Sequence, residues 1–402
     1  MKKMSNKALS GLKVLELGQL IAGPFASKLL AEFGADVIKI EPPTKGDPLR
    51  TWRVIEDETS LWWYVQSRNK KSITLDLKKE EGQKVLRALV KEIDILIENF
   101  RPGTLEKWGI GYEELKKINP RLVMVRVSGY GQDGPYKDKP GFGSIGEAMG
   151  GLRFITGYPD LPPVRVGISI GDSLSALYAV IGALMAVYHR DVNHSEEGQV
   201  IDVALYESVF SLMESILPEY GRNGVIRERT GSTLPGITPS NTYLCSDGKY
   251  IVIGANGDTI FKRLMKTIGR EELSKDSRFE NNIGRSKHAK YLDQLIEAWT
   301  SQHPLLVVKE LLDEAGVPAG SIYSIEDIVN DPHYQNRNMI QEVPIDGIGT
   351  LKMPGIVPKL SKTPGEIKWA GPNLGSHTED VLMSELSLTK EQIAKLREKG
   401  II

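Results

Sequence analysis

A single carboxylate, Asp172, stands in the run Val166-Gly167-Ile168-Ser169-Ile170-Gly171-Asp172-Ser173-Leu174-Ser175, between a strand-like segment and a long apolar stretch. Residues 174–188 carry no charge and are almost all Ala, Leu, Ile, Val, Met or Tyr; His189-Arg190 follow, cations suited to the negative end of a helix dipole. The pattern predicts a helix buried nearly all round, with a carboxylate at its start. Such a residue serves either as an N-cap, accepting a backbone N–H of the first turn, or as an acid that does chemistry. Position alone fits both.

Two other features have the form of chemical motifs. Gly129-Tyr130-Gly131-Gln132-Asp133-Gly134 matches the glycine spacing of a dinucleotide-binding turn, and Glu41 ends a strand-like run as a ribose-binding acid would. The context fails, because Pro135-Tyr136-Lys137-Asp138-Lys139-Pro140-Gly141 follows and opens no helix toward a pyrophosphate. Nicotinamide chemistry is therefore not expected. The one cysteine, Cys245, lies just before a Ser246-Asp247-Gly248 turn and reads as packing in a hairpin. A lone cysteine excludes an internal disulfide and a cysteine-based metal cluster.

The elements that must position these residues follow from composition and periodicity. With 402 residues the chain exceeds what one core usually supports, so two domains are expected. Lys and Arg number 51 against 52 Asp and Glu, for a net charge of −1, which argues against nucleic acid or an anionic membrane as partner. No leader is visible, and the apolar run 174–188 is shorter than the roughly 20 residues a bilayer needs. A cytoplasmic protein is expected.

Residues 13–17 and 36–40 read as strands flanking a helix at 25–33 that starts near Pro24 and stops at Gly34. Strands at 72–77, 93–97 and 122–127, with a helix at 79–92, continue the alternation. The expected fold is α/β: an open, mostly parallel, Rossmann-like sheet in a large domain, beside a smaller α+β domain. A helix at 204–217 ends at Pro218. The expected division is a large domain over 1–220, a small domain with its entry linker over 221–331, and over 332–402 a proline-rich return linker ending in a helix at 379–399.

Several segments in order, Leu9-Ser10-Gly11-Leu12-Lys13-Val14-Leu15-Glu16-Leu17, Ala22-Gly23-Pro24, Gly34-Ala35-Asp36-Val37-Ile38-Lys39-Ile40-Glu41, Arg68-Asn69-Lys70-Lys71-Ser72-Ile73, Glu98-Asn99-Phe100-Arg101-Pro102-Gly103, Ser128-Gly129-Tyr130-Gly131, Gly171-Asp172, Gly198-Gln199-Val200-Ile201-Asp202-Val203 and Leu374-Gly375-Ser376-His377-Thr378, resemble the family III CoA-transferases, the group of formyl-CoA transferase and carnitine CoA-transferase. The resemblance spans nearly the whole chain. It implies an interlocked dimer, as homodimer or with a related subunit, and CoA moved from an acyl-CoA donor to a free carboxylic acid through an aspartyl-CoA thioester.

In that resemblance Asp172 aligns with the nucleophile, and the N–H groups of Ser173 and Leu174 would steady developing charge. Ala22, Leu75, Asn99, Phe100, Arg101 and Lys107 align with CoA-binding positions, and Lys70 and Lys71 are further phosphate candidates. CoA is then substrate, and no prosthetic group or metal is implied. Ile21 stands where formyl-CoA transferases have a formate-contacting glutamine, and their glycine-run loop is represented by Gly231-Ser232-Thr233-Leu234-Pro235-Gly236. Both departures point from formate toward succinyl-CoA and substituted dicarboxylic acids, with Arg153, Arg165 and Arg229 as candidates for a second carboxylate. Two alternatives accompany this reading. One is an isomerase similar to the α-methylacyl-CoA racemases, although Phe142 stands where their second base, a histidine, lies. The other is a CoA-binding subunit whose own aspartate is idle.

Overall fold

The computed structural model describes residues 7–402. Short runs of Val, Ile and Leu form six strands, β1 (Lys13–Glu16), β2 (Asp36–Glu41), β3 (Lys70–Thr74), β4 (Ile95–Glu98), β5 (Val123–Ser128) and β6 (Val200–Ala204). They pair in the order β3-β2-β1-β4-β5-β6, and every pairing is parallel. The central strands are buried on both faces, which explains why they read as continuous apolar runs rather than as alternating ones. The strand order reverses direction between β1 and β4, and in open α/β sheets this switch point is where ligands bind.

Helices cover both faces. On one, Leu15, Leu96 and Met124 of the sheet pack with residues of α2 (Glu80–Val90), α5 (Thr378–Leu386) and α6 (Lys390–Glu398), among them Leu86, Leu89, Leu382 and Ile393. On the other, Val14, Ile95, Ile97 and Val125 pack with α1 (Ala22–Glu32) and α4 (Ile170–Val192). The short helix α3 (Gly143–Met149) precedes α4.

α4 meets the sheet through Ala176, Ala179, Ala183 and Ala186, all buried, a spacing that puts small side chains on one face and lets the helix lie close. Its other face is exposed: Leu177, Ile181, Met185, Tyr188 and Val192 are all at least 45% accessible. The expectation of a helix buried nearly all round is thus overturned within one chain, since a helix on a sheet can bury only one side. Among the described residues it is also the one helix long and apolar enough to cross a membrane, although its alanine face is packed as a core element.

Two compact units emerge. One takes in the described residues as far as Leu152, then Val166–Arg222 and Asn336–Ile402; the other takes in Arg153–Arg165 and Asn223–Gln335. Residues 153–165, expected in the large domain, group with the second unit. That unit has a three-stranded antiparallel sheet, β7 (Ser240–Leu244), β8 (Tyr250–Gly254) and β9 (Ala319–Ser321), in the order β9-β8-β7. Cys245 is buried in its core, and burial raises its thiol pKa.

Some local expectations fail for identifiable reasons. Pro218 does not end a helix; it is the third residue of Ile216–Asn223, where a missing N–H costs nothing, and the run expected as one helix holds the end of β6 and a separate helix, Leu205–Phe210. The return segment contains a hairpin, β10 (Ile340–Ile345) with β11 (Gly349–Pro354), whose prolines are tolerated because a two-stranded sheet is all edge. The terminal helix is two helices, broken at the left-handed Ser387.

Candidate active site

α4 is the crossover helix between the parallel strands β5 and β6, so it runs against them. Near its last turn Arg190 donates to Arg121 O and Asp94 Oδ1, each at 2.9 Å, and these residues lie just before β5 and β4. The C-terminal end of α4 is therefore at the amino edge of the sheet, and Asp172, in its first turn, is at the carboxyl edge. α1 follows β1, which puts Ala22 at the same edge. Leu75 directly follows β3, and Asn99, Phe100, Arg101 and Lys107 follow β4, so all seven predicted site residues share one edge of the sheet.

Asp172 is the third residue of α4, half-buried, and the N-cap position belongs to Ser169. The capping role is thus not the one it fills. The Ser173 N–H donates to Ser169 O at 3.1 Å, and Leu174 lies a full turn inside the helix, so neither amide is placed to steady developing charge as expected. Glycines crowd the start of α4 and the loops near it. A Cβ built on Gly129 would lie 2.8 Å from Gly141 Cα, one on Gly171 would lie 3.0 Å from Gly143 O, and one on Gly143 would lie 1.9 Å from Asp172 Oδ2. The crossings at Gly129 and Gly171 meet backbone and need glycine for want of room, whereas the contact at Gly143 is with a side chain.

At the switch point the loop between β1 and α1 is clasped by side chains. The Asn99 carboxamide accepts from Gln19 N at 2.8 Å and donates to Gln19 O at 2.9 Å. Asp47 accepts from Leu20 N at 3.0 Å, Lys39 donates to Gly18 O at 2.8 Å, and Gln66 donates to Ile21 O at 3.0 Å. Leu20 is held at φ +64°, a left-handed conformation that a non-glycine residue keeps only under such constraint.

Beneath the loop lies a buried ionic cluster. Glu16 accepts from Ser27 Oγ, Lys39 Nζ and Lys70 Nζ, and Lys39 also pairs with Asp47 at 2.8 Å. Burial by itself raises the Glu16 pKa, but Lys39 and Lys70 outweigh it and hold it down to about 2. Burial lowers the Lys70 ammonium to about 8, with Glu16 pulling the other way.

Asn99 has both ends of its amide committed to Gln19, and Ala22 and Leu75 are buried. Phe100 packs edge-on to Trp108 with ring centroids 5.5 Å apart, against the core. Arg101 and Lys107 are exposed. Of the further phosphate candidates, Lys70 is sealed between Glu16 and Pro24 O and does not face solvent, and Lys71, partly exposed, pairs with Asp36. Glu41 receives two hydrogen bonds from Arg50, closing the ribose-acid alternative. In the second unit Arg229 donates to Phe154 O at 2.9 Å and is spent on backbone. Gly143 and the clasp of Asp47 and Lys39 were not singled out from sequence, where a glycine and two charges carry no address.

The family model for CoA-transferase family III matches residues 9–378. Succinyl-CoA–D-citramalate CoA-transferase of Chloroflexus aurantiacus is 52% identical over 98% of both chains. The beta subunit of succinyl-CoA–L-malate CoA-transferase from the same organism is 42% identical over 98% of both, and formyl-CoA:oxalate CoA-transferase of Streptomyces coelicolor is 34% identical over 99% of this chain and all of that one. The crystal structure of a CaiB/BaiF family protein from Brucella suis superposes with a TM-score of 0.82 at 34% identity, covering 95% of this chain and 100% of that one. A parallel sheet with its site residues along one edge and a match running almost end to end lead to one assignment: this chain belongs to the family III CoA-transferases.

Proposed function

We propose that the chain transfers CoA from succinyl-CoA to a substituted dicarboxylic acid, with Asp172 as nucleophile. The observation that carries this is the placement of Asp172 in the first turn of α4, on the sheet edge that also bears Ala22, Leu75, Asn99, Phe100, Arg101 and Lys107. The positive end of the helix dipole favours the ionised acid. The carboxylate attacks the thioester carbon, releasing CoA thiolate and leaving a mixed anhydride; the thiolate then attacks the aspartyl carbonyl, releasing the donor as its carboxylate and leaving an aspartyl-CoA thioester. The acceptor carboxylate reverses both steps, so no net proton is moved. Arg101 and Lys107, exposed beside the switch point, supply positive charge for the CoA phosphates. The names of the relatives support succinyl-CoA as donor, and the apolar Ile21 supports an acceptor larger than formate.

Incubating the protein with succinyl-CoA and no acceptor is expected to form the CoA thioester on the peptide that contains Asp172; hydroxylamine then expels CoA thiol and leaves a hydroxamate at Asp172, read by mass spectrometry. Label on Cys245 instead would overturn the assignment. The isomerase alternative has nothing in its favour here, since Phe142 carries no transferable proton.

The uncovered apolar face of α4 supports a partner chain, and we propose a dimer. Light scattering should give at least twice 44.5 kDa, and a stable, active monomer would refute it. Relatives that exist as alpha and beta subunits favour a second reading in which that partner is a related chain. Full activity of this chain purified alone would exclude that version.

A further inference from the structure

We propose that Gly143 is a positioning residue whose missing side chain sets the aim of the Asp172 carboxylate; this rests on Asp172 being the nucleophile. Gly143 opens α3 and is not among the left-handed residues, so its backbone is one that alanine adopts readily and would favour as the better helix former. The need for glycine is therefore one of space. A Cβ at 143 would lie 1.9 Å from Asp172 Oδ2, 2.6 Å from Cγ and 3.1 Å from Oδ1, and these are its three nearest atoms.

Three consequences follow from those distances. The three nearest atoms all belong to the Asp172 side chain, so the first collision is with that group rather than with the framework. Because Cγ itself is inside contact distance, turning the carboxylate about its own axis does not relieve the overlap. The whole group must swing about Cα–Cβ toward the next staggered well, about 120° away. A methyl group at 143 thus leaves a carboxylate at 172 but points it elsewhere. Attack on a thioester carbon demands reacting atoms roughly 3–3.5 Å apart and aligned, and a displacement of about 1 Å already costs on the order of 100-fold.

The test compares wild type, Gly143→Ala, Asp172→Asn and the double variant, with succinyl-CoA as probe. Gly143→Ala is expected to show an Asp172 χ1 moved to a new well in its crystal structure and a kcat lowered on the order of 100-fold. Its KM for succinyl-CoA should stay within about twofold of wild type, because only interactions formed at the reacting centre are lost. In the double variant Gly143→Ala should add nothing to the loss caused by Asp172→Asn. An unchanged χ1, a wild-type rate of CoA labelling, an additive double variant or a collapse of the thermal midpoint would each overturn the proposal. Failure of the wild type to label Asp172 at all would instead overturn the nucleophile assignment, and this inference with it; a moved χ1 is read independently of activity.

Discussion

Asp172→Asn is expected to lower CoA transfer on the order of 10⁶-fold, the scale seen when a covalent nucleophile is removed and only binding and the rest of the site are left. The asparagine is nearly isosteric, so it preserves the backbone crossing at Gly143 and Gly171 while removing the anion that must attack. Stability should change little. Asp172 is not the N-cap of α4, and the helix-dipole part of the cost, a carboxylate lost from the first turn, is about 0.3–1 kcal/mol. Thermal unfolding and a transfer assay on Asp172→Asn and Asp172→Ala measure the two effects separately. Substantial transfer in both variants would remove Asp172 from the mechanism.

The second large effect is on stability. Lys39→Met should destabilise the fold by about 3–5 kcal/mol, because it leaves Glu16 and Asp47 buried with their shared cation gone. Glu16 is fully buried, and its pKa is held down to about 2 from an ordinary 4.5. Its contribution is present in full above about 4.5, is lost as pH falls toward 2, and amounts to about 3 kcal/mol. In Lys39→Met one of the two cations that hold Glu16 down is missing, so its pKa rises and the acid transition moves to higher pH. Circular dichroism across that range reads both effects. An unshifted acid midpoint together with an unchanged denaturation curve would mean the cluster contributes no net stability.

The same cluster shows why the sequence alone does not reveal what Lys70 meets. Lys70 and Lys71 follow one another in the sequence and look alike as charges. Alternation along β3 seals Lys70 beneath the switch-point loop and leaves Lys71 half-exposed, paired with Asp36. A one-letter code records the charge and not its solvent, and burial decides whether an ammonium meets phosphate or a buried carboxylate.

What the sequence determined by itself was local or carried by ordered motifs: the strand and helix alternation of residues 13–127, the long apolar helix with a carboxylate in its first turn, and the family. Apolar periodicity and glycine stops act over a few residues, so they can be read directly. Tertiary structure decided the rest. The strand order that makes a switch point between β1 and β4, the exposed second face of α4, the Asn99 clasp on Gln19 and the overlap of Gly143 with Asp172 all join residues far apart in the chain. Such contacts depend on how crossover helices return to the sheet and on fractions of an ångström at backbone crossings, and no local pattern of side chains encodes either.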